Sequence, residues 1–90
     1  MPHLSSDDAL VKRVRRIAGQ VAALERALTD HQDCATTLHL AAAVRGAVNG
    51  LLEQIVEAHL REHVARPGLG DAARAQGAEE IITAIRRYGK

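Results

Sequence analysis

The residues with chemical reach stand at the two ends of one stretch. Cys34, the only cysteine, opens CATTLHLAAAVRGAVNGLLEQIVEAHLREH, and His59 and His63 stand four apart at its close. Two imidazoles at i and i+4 project to the same side of a helix, which is a common way to hold a transition metal. A thiolate with two or three imidazoles suits Zn, Ni or Co, and it is a poor set for Ca or Mg. Cu(I) is disfavoured, because two soft thiolates would be expected and the chain has one cysteine. His3, on an N-terminal arm, adds a third imidazole to the candidate set. The plainer reading of the pair is electrostatic, since histidines near a helix C-terminus favour the helix dipole. His31 and His39 are further candidates only as accessory ligands.

The element that must position these groups is a single helix over residues 34–63, a stretch without proline. At 1.5 Å per residue it is ~44 Å long, with Cys34 and His59 ~37 Å apart. They cannot share a site within one chain. Two copies packed antiparallel would bring Cys34 of each to His59 and His63 of the other. The two-fold axis would fall near residue 47, inside AAAVRGAVNG, where small side chains permit close backbone approach. The spacing therefore predicts a symmetric dimer with a site at each end of its interface.

A second constellation is basic. Lys12, Arg13, Arg15 and Arg16 are four of five consecutive residues, and Arg45 lies near the proposed axis. The formal net charge is only +1, so distribution rather than total charge points to phosphate. An oligomer would repeat the cluster and widen it into a basic face. Isolated charges of this kind are more commonly a solvated helix face. No helix-turn-helix and no aromatic stacking platform is recognisable, so base readout by a familiar module is not supported.

The remaining elements frame these two constellations. Ser5-Ser6-Asp7-Asp8 reads as a helix start, and the first helix is expected over about Asp7–Asp30. Leu10, Val14, Ile17, Val21, Leu24 and Leu28 form a heptad seam along it, with Arg13, Arg16 and Gln20 on a separate stripe. Gly19 interrupts the helix and suggests that another backbone passes close by. Thr29–Asp33 is a short connection suited to an antiparallel hairpin, with Asp33 or Asp30 as the next cap. Leu38, Ala41, Val44, Val48, Leu51 and Ile55 continue the seam, and Arg66-Pro67-Gly68-Leu69-Gly70 ends the second helix. A third helix starts near Asp71, burying Ala78, Ile81, Ile82, Ile85 and Tyr88, with Gly77 weakening its first half.

Ninety residues without Trp or Phe make one small all-α domain, residues 1–90, for which oligomerisation is a common remedy. One cysteine excludes an intramolecular disulfide, and no signal or membrane-crossing run is evident; a reduced, cytoplasmic location is the default. Without pocket-building loops or an oxyanion motif, the chain is not expected to be an enzyme.

The strings RVRRIAGQVAALERAL at 13–28 and AAAVRGAVNGLLEQIVEAHLREHV at 41–64, with Cys34 between them, closely resemble the CsoR/RcnR/FrmR family of bacterial metal- and aldehyde-responsive repressors. The resemblance covers nearly the whole chain. It implies a three-helix protomer, an antiparallel long-helix dimer with a four-helix core, and a disc-shaped tetramer made of two dimers. It implies binding of double-stranded operator DNA, release by an effector, and no membrane or further protein partner. Position by position, Cys34, His59 and His63 match the family's effector ligands, and His3 matches the N-terminal ligand of the nickel/cobalt members. Arg13, Arg16 and Arg45 fall where the family places DNA-contacting residues, with Lys12 and Arg15 beside them. The resemblance thus implies Ni or Co as effector, with Zn also compatible, and release of an efflux operon. The alternative is the formaldehyde type, in which Pro2 and Cys34 would be joined by a methylene bridge; those members tend to carry an acidic residue where this chain has His63.

Overall fold

The computed structural model describes residues 7–88; Pro2, His3 and the expected cap at Ser5 and Ser6 lie outside them. Three helices follow one another, α1 (Asp7–Thr29), α2 (Cys34–His63) and α3 (Asp71–Tyr88), with no strand among the described residues. The architecture is all-α, and the long helix begins and ends where the sequence places it.

The connection from α1 to α2 is built from local chemistry. The last turn of α1 closes with Asp30 N–H donating to Arg26 C=O (2.8 Å) and Gln32 N–H to Ala27 C=O (2.9 Å). Between them His31 takes φ 54°, the left-handed conformation that more often falls to glycine. Asp33 then caps α2. Its Oδ2 accepts from Thr36 N–H at 3.1 Å and its Oδ1 from Thr36 Oγ1 at 2.6 Å. These bonds hold the Asp33 carboxyl below the usual aspartate range, the Thr36 hydroxyl contributing most.

Two compact units share α2. One spans Asp8–Glu53 and holds α1 with the first two-thirds of α2; the other holds Gln54 onward, with the end of α2 and α3. In the first unit the inward line of α1 is the buried Leu10, Ile17 and Ala27 with the half-buried Arg13, Gln20 and Leu24. The expected seam is therefore corrected by one residue in every second step. Arg13, Gln20 and Ala27 replace Val14, Val21 and Leu28, which are 48%, 48% and 60% exposed. This side of α1 faces the half-buried Leu40, Ala41, Val44, Ala47, Gly50 and Leu51 of α2, with Gly50 leaving room for the long Arg13 side chain. Leu38, Val48, Leu52 and Ile55 form an outward line on α2 instead.

In the second unit α3 turns Arg74, Gly77, Ala78, Ile81 and Ala84 inward, while Ile82, Ile85 and Tyr88 stay exposed. Among the described residues the buried hydrophobics are only Leu10, Ile17, Ala27 and Ala58. A chain that leaves this many large aliphatic side chains in water has little core of its own. Gly19 meets nothing within 4 Å, so the passing backbone expected there is not supplied by the described residues of this chain.

Candidate effector site and nucleic-acid face

The second unit brings the two histidines together. His59 and His63, both half-buried, have ring centroids 4.6 Å apart with the planes tilted 42°. His59 is oriented from α3: its Nε2 donates to the Gly77 carbonyl at 3.2 Å, and Glu80 Oε1 lies 3.3 Å from the same nitrogen. A carbonyl can only accept, so Nε2 carries the proton of this bond, and the tautomer that makes it presents Nδ1 as the free ring nitrogen. A histidine that ligates a metal commonly donates its other N–H to a carbonyl or carboxylate in this way. The donor chemistry therefore fits a transition-metal ion, with His59 Nδ1 and the His63 ring as donors. The Glu57–Arg61 ion pair at 2.8 Å and the Glu62–Arg66 pair at 3.9 Å occupy other carboxylates of this helix end.

Gly77 allows this arrangement. A Cβ there would lie 2.8 Å from the carbonyl carbon of His63 and 2.9 Å from its Cβ, and nearer still to its oxygen. Only a residue without a side chain lets α3 press against the end of α2. Arg74 closes the same corner, its guanidinium donating to the carbonyls of Val64 and Leu69. Sequence reasoning missed Gly77, Arg74 and Glu80 as supports. The signal was present in the glycine inside an otherwise helical run, the same signal read as a close approach at Gly19.

Among the described residues no three His, Cys, Asp or Glu side chains gather closely enough to hold an ion. The histidine pair is an incomplete donor set. Cys34 is the first residue of the helix whose last is His63; it is exposed and joined in no disulfide. It lines an open groove of about 500 Å³ with Ala27, Leu28, His31, Leu38 and Ala41. His31 and His39 are exposed.

The basic residues lie in the first unit. Lys12, Arg15, Arg16 and Arg45 are exposed, and Arg13 is half-buried against α2. None of the ion pairs among the described residues involves them. No described helix is long and apolar enough to cross a membrane.

Comparison with known proteins places these features. Residues 6–87 match the profile of the metal-sensitive transcriptional repressors. The chain is 47% identical over 91 residues to a protein from the bioA 5' region of Serratia marcescens, and 37% identical over 91 residues to the transcriptional repressor RcnR of Salmonella arizonae; both alignments cover all of each chain. Among solved structures it is similar to a Glu-to-His variant of the formaldehyde-responsive regulator FrmR from Salmonella enterica serovar Typhimurium, with TM-score 0.87 and 44% identity, covering 97% of this chain and 99% of that one. The chain belongs to the metal-sensitive transcriptional repressor family, the family of CsoR, RcnR and FrmR.

Proposed function

We propose that this chain, as a single cytoplasmic domain over residues 1–90, is the protomer of a nickel/cobalt-responsive repressor. Assembled as a dimer of dimers, it binds double-stranded operator DNA through Lys12, Arg13, Arg15, Arg16 and Arg45. Uptake of Ni(II) or Co(II), with Zn(II) also within the donor chemistry, releases the operator and derepresses an efflux operon. The ligands are Cys34 of one copy with His59 and His63 of a second, and His3 of the N-terminal arm.

The observation that carries this reading is the His59–His63 pair, 4.6 Å between rings and held from behind by Gly77 and Glu80. It keeps His59 Nδ1 clear of the bond to Gly77 and, among the described residues, lacks the further donors an ion requires. The exposed aliphatic lines on α1 and α2, and the groove beside Cys34, supply surface for a second copy. The bound ion supplies one centre for a thiolate and two or three imidazoles. His59 transmits its position to α3 through Gly77 and Glu80. Helix α1 leads directly from the arm to Arg13 and Arg16, so reorganisation of the arm acts on the basic face.

The test is operator release followed by fluorescence anisotropy with Ni(II), Co(II), Zn(II), Cu(I) and formaldehyde in turn. Ni(II) and Co(II) are expected to weaken DNA binding by ~2–3 kcal/mol, and Cys34→Ala or His63→Glu to abolish that response. By reciprocity, equal metal affinity with and without operator DNA refutes the coupling.

A second reading draws support from the 44% identity to a formaldehyde-responsive regulator and from the exposed Cys34 thiol. In it, hydrolytic removal of Met1 frees the secondary amine of Pro2, and that amine and the Cys34 thiol add one formaldehyde carbon as a methylene bridge with loss of water; a retained Met1 blocks the step. It predicts operator release by formaldehyde and a mass gain of one carbon per site, located between Pro2 and Cys34.

A further inference from the structure

Arg13 is unlike its basic neighbours. Lys12, Arg15 and Arg16 are exposed, whereas Arg13 lies on the inward line of α1, between Leu10 and Ile17. A guanidinium on a packing line ordinarily finds a carboxylate, yet none of the ion pairs among the described residues involves it. It lies instead over Gly50 of α2. A Cβ at residue 50 would fall against Arg13 Nη2 and 3.4 Å from its Cζ, and beyond the local backbone of its own helix no other atom of the described residues comes within 4 Å. The absent side chain of Gly50 is thus the space that the Arg13 head occupies. Gly46, one turn earlier, meets nothing within 4 Å, so this seat is particular to Gly50.

We propose that Gly50 is a positioning residue for DNA binding: its bare Cα seats the Arg13 guanidinium and holds it ready for a phosphate of the operator. The inference rests on the basic-face reading above and adds a mechanism to it. A free arginine loses rotamer freedom when it grips a phosphate. An arginine already seated across the α1–α2 hairpin has lost part of that freedom on folding, and its planar fork is fixed in direction. Arg13 thereby differs from Lys12, Arg15 and Arg16, which supply charge without fixed geometry. The seat also ties one DNA-facing cation of α1 to the middle of α2. A sliding of α1 along α2 would then move Arg13 off its seat.

Gly50→Ala is an apt perturbation because the obstructed atoms are the far end of a flexible side chain. The head swings away while both helices keep their places, and alanine is the better helix former. The experiment is a double-mutant cycle on operator affinity, with Arg13→Ala, Gly50→Ala and the pair, each checked for helicity and assembly. Arg13→Ala is expected to weaken binding on the order of tenfold and to lower the steepness of the salt dependence by ~1. Gly50→Ala is expected to weaken binding by ~threefold or more, and to change nothing further once Arg13 is alanine. Equal losses from Gly50→Ala in both backgrounds, or no loss in either, overturn the proposal while leaving the basic face intact. No loss from Arg13→Ala removes the basic-face role of Arg13 itself. If Gly50→Ala disturbs assembly, the guanidinium NMR signal of Arg13 in the unaltered, DNA-free protein decides. A restrained Nε–H, distinct from those of Arg15 and Arg16, supports the seat; equal mobility of all three overturns it.

Discussion

Alanine in place of a helical glycine ordinarily stabilises a helix by about 1 kcal/mol; at Gly77 the sign should reverse. The added Cβ would sit 2.8 Å from the His63 carbonyl carbon and 2.9 Å from the His63 Cβ, against an ordinary contact of 3.4–4 Å. The obstructing atoms include helix backbone, which cannot swing aside, so α3 must back away from the end of α2. Overpacking of this kind costs roughly 1–3 kcal/mol. The retreat also stretches the 3.2 Å bond from His59 Nε2 to Gly77 C=O, for a further loss of about 0.5–1.5 kcal/mol. Setting the helix gain against these, Gly77→Ala should destabilise by about 1–3 kcal/mol. That is a fall in melting temperature of several degrees at fixed protomer concentration, read by circular dichroism. Gly19→Ala, where a Cβ meets nothing within 4 Å among the described residues, is the control and should gain up to about 1 kcal/mol. Because His59 loses its orienting partner, Ni(II) or Co(II) affinity should fall roughly 10–100-fold. A Gly77→Ala protein as stable as the parent, with unchanged metal affinity, refutes the close-packed corner and its role.

Other perturbations probe the remaining supports. Arg74→Met removes the donors to the Val64 and Leu69 carbonyls and should cost about 1–3 kcal/mol in urea unfolding. His31→Gly relieves a side chain held at φ 54° and should stabilise by roughly 1 kcal/mol. Asp33 carries a carboxyl depressed by the Thr36 hydroxyl and then the Thr36 N–H, so its contribution is present above the unfolded-state pKa and lost as pH falls through the folded value. Asp33→Asn, which caps without titrating, should remove that part of the acid sensitivity in a pH series of thermal melts, whereas Asp33→Ala should lower stability at neutral pH.

The helices were legible because proline, glycine and capping residues punctuate them clearly. The sequence reading ends α2 at His63 and begins α3 at Asp71, where the structure also has them. The packing faces were only half legible. Hydrophobicity alone selects Val14, Val21 and Leu28, but the hairpin half-buries Arg13 and Gln20 and buries Ala27. Leu10, Ile17 and Leu24 belong to both lines, so the apolar pattern does not distinguish them, and the contact that admits Arg13 depends on Gly50 of the neighbouring helix, which α1 itself does not reveal. The histidine pair was readable from its four-residue spacing. Its supports were not, because Gly77 and Glu80 reach His59 across a turn whose geometry depends on Gly68 at φ 87°. The expectation that Gly77 merely weakens α3 captured its intrinsic cost and missed the contact that requires it.

In the proposed repressor each effector site is divided between two copies of the chain. The direct measurement is Co(II) binding by a mixed dimer, purified with two different tags, of a Cys34→Ala copy and a His63→Ala copy. Each parent dimer lacks a ligand at both of its sites. The mixed dimer unites Cys34 of one copy with His59 and His63 of the other at one end. Its Co(II) spectrum should therefore regain the thiolate-to-metal absorption absent from both parents. A mixed dimer as silent as its parents, or a parent that binds like the unaltered protein, contradicts the shared site.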